Sequence, residues 1–288
     1  MLLKKHIRKA QDIYDIACDE PILVYGAGFV ADFFYKLLVQ KGLERNLLGF
    51  IVSKNGGGVL NGLPIYAVND TTVEKHVVVC VAVHESSLAE IIQSLESNGF
   101  GQYVYVYPNL IEMWLGEPLK KKERVSVRDI WNSKDDKYVI AARYLVIEQY
   151  HGENSIGYDL YKKMSVLPKN SKTVEKRLDK YLEMISDCEC HGYDFEKTIK
   201  IFDDYKIIDG NHRFTAAIYF GHEYVDCDIY AASNKKGLEL LPSEKRLNHD
   251  NVMQLGLTEY EIGILEQTIS KINNEVIRGK NDSQAHIK

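Results

Sequence analysis

Long hydrophobic runs are missing from this sequence, since none of its apolar stretches reaches the ~18 residues of a membrane span. Residues 1–10 include basic side chains but no uninterrupted apolar segment of the length that a signal peptide requires. Five cysteines, an odd number in a chain without such a signal, favour reduced thiols over a disulfide framework. We therefore expect a cytoplasmic protein with no membrane partner.

Positive charge is scarce as well, because 36 Lys and Arg residues stand against 41 Asp and Glu residues, for a formal net charge of −5. Proteins that coat nucleic acid neutralise its phosphates with clustered Lys and Arg. We therefore expect a small-molecule substrate and no nucleic-acid partner. The 288 residues are enough for two domains at the usual ~100–200 residues each.

A complete set of zinc ligands is also missing. Cys188, Cys190 and His191 offer two thiolates and an imidazole, but no second Cys/His pair supplies the remaining ligands. We interpret this group as metal-free. The other cysteines have apolar neighbours and are predicted to be small core residues: Cys18, Cys80 and Cys227.

What the sequence does contain is two segments that read as strand, glycine turn and helix. In the first, a short apolar strand enters the G-x-G-x-x-A turn 26–31, and a helix follows until Gly42. Further strands at 47–52, 77–83 and 103–107, with a helix at 87–97, predict an α/β fold with a Rossmann-like parallel sheet. The residues predicted to bind a nucleotide here are Gly26, Gly28, Phe29 and Val30.

The second predicted strand ends without the acidic residue that holds the ribose in dinucleotide enzymes, because Ser53 and Lys54 stand there. The absence of this acidic residue disfavours NAD as a ligand. One interpretation is then that the glycine turn binds a phosphate or diphosphate group. Equally, the glycines could serve only helix–strand packing. An NAD(P)-dependent Rossmann enzyme remains the least favoured alternative.

Three motifs between residues 21 and 109 form a recognisable set: Val-Tyr-Gly-Ala-Gly-Phe-Val-Ala, Leu-Leu-Gly-Phe-Ile-Val and Asn-Gly-Leu-Pro-Ile-Tyr. With these motifs, residues 21–109 resemble the N-terminal domain of sugar-modifying enzymes from surface-polysaccharide pathways. It implies a short Rossmann-like unit that holds a UDP-sugar in some of these proteins. A nucleotide sugar is therefore a candidate ligand.

The second segment is Lys-Ile-Ile-Asp-Gly-Asn-His-Arg-Phe-Thr-Ala-Ala-Ile-Tyr-Phe-Gly, at 206–221. Gly210 permits close backbone approach, and the first N–H groups of the following helix have no intrahelical partner. His212 and Arg213 add two more donors on the same turn. The pattern predicts an anion-binding site with phosphate as the ligand. The alternative is that these residues form a surface turn with no ligand.

This segment resembles the nucleotide-binding part of the ParB/sulfiredoxin fold, which includes partition ParB proteins, sulfiredoxins and the free-serine kinases. The resemblance covers residues 138–232 and implies a small-molecule kinase that uses ATP or ADP with Mg²⁺. Sulfiredoxins place a catalytic cysteine where Asn211 stands, and no basic DNA-recognition element follows Leu241. A nucleotide-binding regulatory protein without catalysis remains an alternative.

Phosphoryl transfer needs donors on the phosphate oxygens, a carboxylate for the metal, and an acid or base near the acceptor. We assign Asp209 to Mg²⁺ or to the acceptor hydroxyl, and His212 to the transferring phosphoryl group. The predicted phosphate-binding residues are Gly210, Asn211, His212, Arg213 and Thr215.

The Pro-x-Glu acid of the kinase branch is absent, since Pro168 is followed by Lys-Asn-Ser. Asp194 and Glu196 are the candidate catalytic replacements, together with Glu175. Charged side chains are mostly exposed, so the alternative is that all three are surface charges.

The predicted domain plan has four parts: a Rossmann-like domain at 1–118, a linker at 119–136, a ParB/sulfiredoxin-like α+β domain at 137–245, and a helix with a tail at 246–288. The charge run 120–124 is typical of a solvated linker. Thr258 and Glu261 form a capping box before a helix whose apolar stripe serves for packing or for a homodimer.

Overall fold

The computed structural model describes residues 9–83, 87–165, 171–235 and 252–278, and these form a mixed α/β protein with two sheets. The chain divides into two compact units. The boundary falls between Glu117 and Pro118, and Asn234 and Lys235 belong with the first unit.

The first unit contains a six-stranded sheet of order β3-β4-β2-β1-β5-β6. The chain-ordered strands are β1 (Ile22–Tyr25), β2 (Leu47–Val52), β3 (Val59–Leu60), β4 (Leu63–Ala67), β5 (Val78–Val81) and β6 (Tyr103–Tyr105). All neighbouring pairs are parallel except the β3–β4 hairpin. The strands predicted at 47–52, 77–83 and 103–107 are confirmed.

The β3–β4 hairpin was not predicted, although Asn61-Gly62 is a strong hairpin signal. Both residues have positive φ, 52° and 81°, as a two-residue type I′ turn requires. The amide Nδ2 of Asn61 donates to Asp32 Oδ1 at 2.9 Å, which fastens the hairpin to the second helix of the unit. The strands on either side are too short to show the apolar alternation by which longer strands are predicted.

Helices flank this sheet because their apolar residues recur on one face. They are α1 (Ala10–Asp19), α2 (Phe29–Gln40), α3 (Leu88–Ser97) and α4 (Leu110–Leu115). Phe33, Phe34 and Leu37 of α2 are buried, as their spacing predicts. The spacing of Leu3 and Ile7 with Ile13 predicts that this face of the first helix continues toward the N-terminus, but Leu3 and Ile7 lie outside the described residues.

The second unit contains a four-stranded sheet of order β7-β10-β8-β9. Its strands are β7 (Lys120–Ser126), β8 (Ile199–Phe202), β9 (Ile207–Asp209) and β10 (Tyr224–Tyr230). Strand β10 runs parallel to β8 and antiparallel to β7, and β8 and β9 form an antiparallel hairpin.

The prediction of a linker at 119–136 is wrong. This stretch forms β7 and the helix α5 (Val127–Asn132), and both belong to the second unit. Lysine-rich sequence is typical of an edge strand, where charge discourages pairing with other chains. The buried residues Val125 and Val127, which directly follow the charge run 120–124, were the apolar signal in this stretch.

The remaining helices of the second unit are α6 (Lys137–Tyr150), α7 (Gly157–Lys163), α8 (Ser171–His191), α9 (Asn211–Tyr219) and α10 (Glu259–Arg278). The sequence Val-Leu-Pro that begins at Val166 predicts a further strand, but it lies outside the described residues. No helix in the described ranges has both the length and the hydropathy needed to cross a bilayer.

Helix α10 begins with the predicted capping box. The N–H of Thr258 donates to Glu261 Oε2 at 2.8 Å, and the N–H of Glu261 donates to Thr258 Oγ1 at 3.2 Å. The apolar stripe is buried within the chain: Leu265 packs with residues of α6 and α7, and Ile272 joins the core around Trp131. The stripe is therefore a packing surface.

Candidate functional site

The site is built on residues 209–213, which we call the β9–α9 turn because they join that strand directly to that helix. Gly210 is left-handed, with φ of 110°. A Cβ atom on Gly210 would lie 3.1 Å from Ile199 Cγ2 and 3.3 Å from Arg213 Nη2. Both the backbone conformation and the close neighbours therefore require glycine.

The first turn of α9 offers backbone donors. The first intrahelical bond is the one from Phe214 N–H to Gly210 O, at 2.8 Å, so the amides of residues 211–213 precede the helical ladder. The helix dipole adds partial positive charge at the same end. The side-chain atom Asn211 Oδ1 is buried and has no hydrogen-bond partner in the described ranges. Donors from a ligand would satisfy this acceptor.

His212 is held by aromatic side chains from two other helices. Its Nε2 lies 3.0 Å from the hydroxyl of Tyr161 on α7, and its ring centroid lies 4.4 Å from that of Tyr181 on α8. Tyr181 donates to the carbonyl of Arg143 at 3.2 Å. Burial raises the pKa of Tyr181 and outweighs the positive charge of Arg143, which acts to lower it, so this hydroxyl keeps its proton.

Arg143 is a candidate residue that the sequence analysis missed. Its guanidinium carbon lies 5.7 Å from the centroid of the Tyr161 ring, and Nη1 donates to Val139 O at 2.8 Å. The side chain brings a positive charge from α6 to the aromatic wall that holds His212. A lone arginine in the apolar sequence of α6 is the signal that could have identified it.

Arg213 and Thr215 have contacts inside the protein. The guanidinium Nη1 of Arg213 donates to the carbonyls of Lys197 and Thr198, and Nη2 lies 3.7 Å from Asp209 Oδ2. Arg213 thereby fastens the loop before β8 to the β9–α9 turn. Thr215 is fully buried and donates through Oγ1 to Asn211 O at 2.8 Å, which braces the first turn of α9.

The candidate acids have different surroundings. The Asp209 side chain is 58% exposed and its single described ion pair is the long one to Arg213. Glu196 is 83% exposed and pairs with Lys122 at 2.7 Å. Asp194 Oδ1 accepts from the N–H of Glu196 at 3.0 Å.

Although burial acts to raise the pKa of Asp194, hydrogen bonds from the Glu196 N–H and from Lys197 hold it below its ordinary value. Asp194 and Glu196 both lie in the loop before β8, whose end Arg213 fastens to the β9–α9 turn through the carbonyls of Lys197 and Thr198. Glu175 is exposed on α8.

In the first unit, the two glycines of the G-x-G-x-x-A turn differ in what the fold requires. Gly26 has φ of 117°, its N–H donates to Ile51 O at 2.8 Å, and an added Cβ would lie 3.0 Å from Ala82 O. Gly28 has φ of −100°, and an added Cβ would meet no atom within 4 Å. Packing and backbone conformation therefore require glycine at position 26, whereas neither requires it at position 28.

The neighbours of this turn fit a phosphate better than a dinucleotide ribose. Phe29 and Val30 are half-buried in the first turn of α2, where backbone N–H groups precede the helical ladder. Ser53, at the end of β2, is hydrogen-bonded to the hydroxyl of Tyr25 at 2.7 Å. No carboxylate occupies the position of Ser53 to hold a ribose.

Across the described ranges, no group of three or more His, Cys, Asp or Glu side chains is arranged to hold a metal ion. Cys188 and Cys190 are free thiols. A Mg²⁺ ion that is shared with nucleotide phosphates needs only one or two carboxylates from the protein. Comparison with protein-family models, curated proteins and solved structures finds no significant match to this chain.

Proposed function

We propose that the second unit is a nucleotide-dependent small-molecule kinase, which transfers a phosphoryl group from ATP or ADP to a hydroxyl of a sugar, a sugar nucleotide or a serine-like metabolite. The observation that carries the proposal is the β9–α9 turn. It combines a left-handed glycine, first-turn amides, an imidazole and an exposed carboxylate within residues 209–213. A polyphosphate matches such a helix end in charge and hydrogen bonding.

Each group has a task in this reaction. The amides of residues 211–213 bind phosphate oxygens, and Arg143 and His212 add donors beside them. Asp209 is a hard oxygen ligand that is largely exposed, so it fits a Mg²⁺ ion, which would neutralise phosphate charge when bound. Alternatively, Asp209 takes the proton of the acceptor hydroxyl while the phosphoryl group moves to the acceptor oxygen.

The experiment is a product search with the full chain. We incubate the protein with ATP or ADP, Mg²⁺ and a panel of hydroxyl amino acids, sugars and nucleotide sugars, and detect phosphorylated products by ³¹P NMR and mass spectrometry. Asp209→Asn should lower turnover by about 10²–10⁴-fold, the range for loss of a general acid or base.

The matched control is Asp204→Asn, which changes an exposed aspartate in the neighbouring β8–β9 turn and keeps an acceptor for the Lys206 N–H. It should leave turnover unchanged. Nucleotide binding without any product would favour the regulatory, non-catalytic alternative. If the protein neither binds a nucleotide nor forms a phosphorylated product, the proposal is overturned.

We propose a second ligand for the first unit, a nucleotide sugar whose diphosphate lies on the 26–28 turn. This is supported by Gly28, whose lack of a side chain the fold does not require. It is also supported by the strand order, because the turn follows β1 at the point where the parallel order reverses, beside β5. A sugar acceptor would then connect the kinase with cytoplasmic steps of surface-polysaccharide synthesis.

Calorimetry with UDP-sugars and NAD(P)H tests this ligand. Gly28→Glu should abolish UDP-sugar binding by charge repulsion, whereas Gly101→Glu should not. Gly101 is the matched control because it also lies in the first unit and an added Cβ there meets no atom within 4 Å. Binding of NAD(P)H that Gly28→Glu abolishes would instead support the oxidoreductase alternative.

A further inference from the structure

The hydrogen bond between Tyr161 and His212 determines which imidazole nitrogen carries a proton. Tyr161 is 4% exposed, and a buried tyrosine hydroxyl needs an acceptor for its proton. In the described part of the chain, the one hydrogen-bond partner of this hydroxyl is His212 Nε2, at 3.0 Å. The hydroxyl of Tyr161 is therefore the donor.

A nitrogen that accepts a hydrogen bond carries no proton, so Nε2 of His212 is the unprotonated nitrogen. The neutral imidazole then has its proton on Nδ1. In the reverse arrangement, Nε2–H would donate to the Tyr161 oxygen. The hydroxyl proton of Tyr161 would then be buried without an acceptor, which is unfavourable.

The surrounding helices keep the imidazole in this orientation. The ring of Tyr181 lies at a centroid distance of 4.4 Å and an interplanar angle of 49° from the ring of His212. Tyr181 is itself fixed by its hydrogen bond to Arg143 O. A ring flip that exchanged Nδ1 and Nε2 would break the hydrogen bond to Tyr161. It would also have to move the imidazole past the ring of Tyr181, which packs against it.

We infer that Tyr161 is a positioning residue that holds His212 as its Nδ1–H tautomer. This inference rests on the proposed function where it concerns catalysis. In the reaction, His212 then acts as a hydrogen-bond donor rather than as the base. The acceptor oxygen forms its bond to phosphorus as the bond to the nucleotide leaving group breaks, and the hydroxyl proton passes to a carboxylate, Asp209.

The tautomer is measured without any nucleotide, by two-bond ¹⁵N–¹H correlation spectra of the full chain labelled at histidine, recorded at alkaline pH. The His212 resonances are assigned by their loss in His212→Asn. We expect protonated Nδ1 and unprotonated Nε2 in the parent protein. Tyr161→Phe should move the population toward Nε2–H, whereas Tyr158→Phe, on the same helix, should not. A parent protein with protonated Nε2 would overturn the inference.

Kinetics give an independent test through amide replacements that mimic one nitrogen each. The amide of an asparagine lies close to the position of imidazole Nδ1, and that of a glutamine lies close to Nε2. His212→Asn should retain at least about tenfold more turnover than His212→Gln, as expected for one catalytic hydrogen bond. Equal losses would contradict the assigned donor.

The two hypotheses fail separately. A chain with the Nδ1–H tautomer but no phosphorylated product would refute the kinase and leave the positioning role of Tyr161. A kinase whose His212 is protonated on Nε2 would refute the positioning role and leave the proposed function.

Discussion

Replacement of Gly210 by alanine tests the backbone of the β9–α9 turn most directly. A left-handed residue with a Cβ costs about 1–2 kcal/mol. The new methyl would also lie 3.1 Å from Ile199, which is fully buried in β8 and has little room to move. Overpacking of this kind typically costs ~1–3 kcal/mol. We therefore expect Gly210→Ala to destabilise the second unit by roughly 2–5 kcal/mol.

The assay is urea unfolding followed by circular dichroism and by fluorescence of Trp131, which lies in the second unit. The control is Gly152→Ala, since Gly152 has φ of 78° in the same unit but an added Cβ meets no atom within 4 Å. It should show only the conformational cost. If Gly210→Ala is no more destabilising than Gly152→Ala, the close contacts with Ile199 and Arg213 do not constrain the turn.

Two further predictions concern α10. Hydrogen bonds from Lys163 and from the backbone of Thr258 lower the pKa of Glu261, so the stability from Glu261 is present above its unfolded pKa and is lost as pH falls through the lower folded pKa. Glu261→Gln should therefore show a smaller loss of stability between pH 7 and acid than the parent, measured by urea unfolding at each pH. Asn273→Ala should destabilise by ~1–3 kcal/mol, because it leaves the buried Trp131 N–H, now bonded to Asn273 Oδ1 at 2.7 Å, without an acceptor.

The controls for these two predictions lie on the same helix. Glu259→Gln removes an exposed carboxylate and should keep the acid sensitivity of the parent. Asn274→Ala changes an exposed side chain and should alter stability by less than about 0.5 kcal/mol. If Glu261→Gln is as acid-sensitive as the parent, or Asn273→Ala as stable as Asn274→Ala, the corresponding hydrogen bonds contribute little.

Much of the fold could be predicted because its signals are local. Apolar runs and glycine turns predicted β1, β2, β5, β6 and the helices beside them, and the capping box predicted the start of α10. The misinterpretation of 119–136 has a physical cause. A lysine-rich edge strand and a solvated linker have the same composition, and only pairing with β10 distinguishes them.

The candidate site also has one part that follows from local sequence and another part that follows from tertiary packing. By itself, the sequence determined the β9–α9 turn, because Asp209, Gly210 and His212 are neighbours in the chain and their conformational needs are local. Only the tertiary structure brought Tyr161 from α7 to His212, and Arg143 from α6 to the ring of Tyr161. Such contacts depend on how the helices pack rather than on spacing along the chain, so the proton position on His212 follows from tertiary packing.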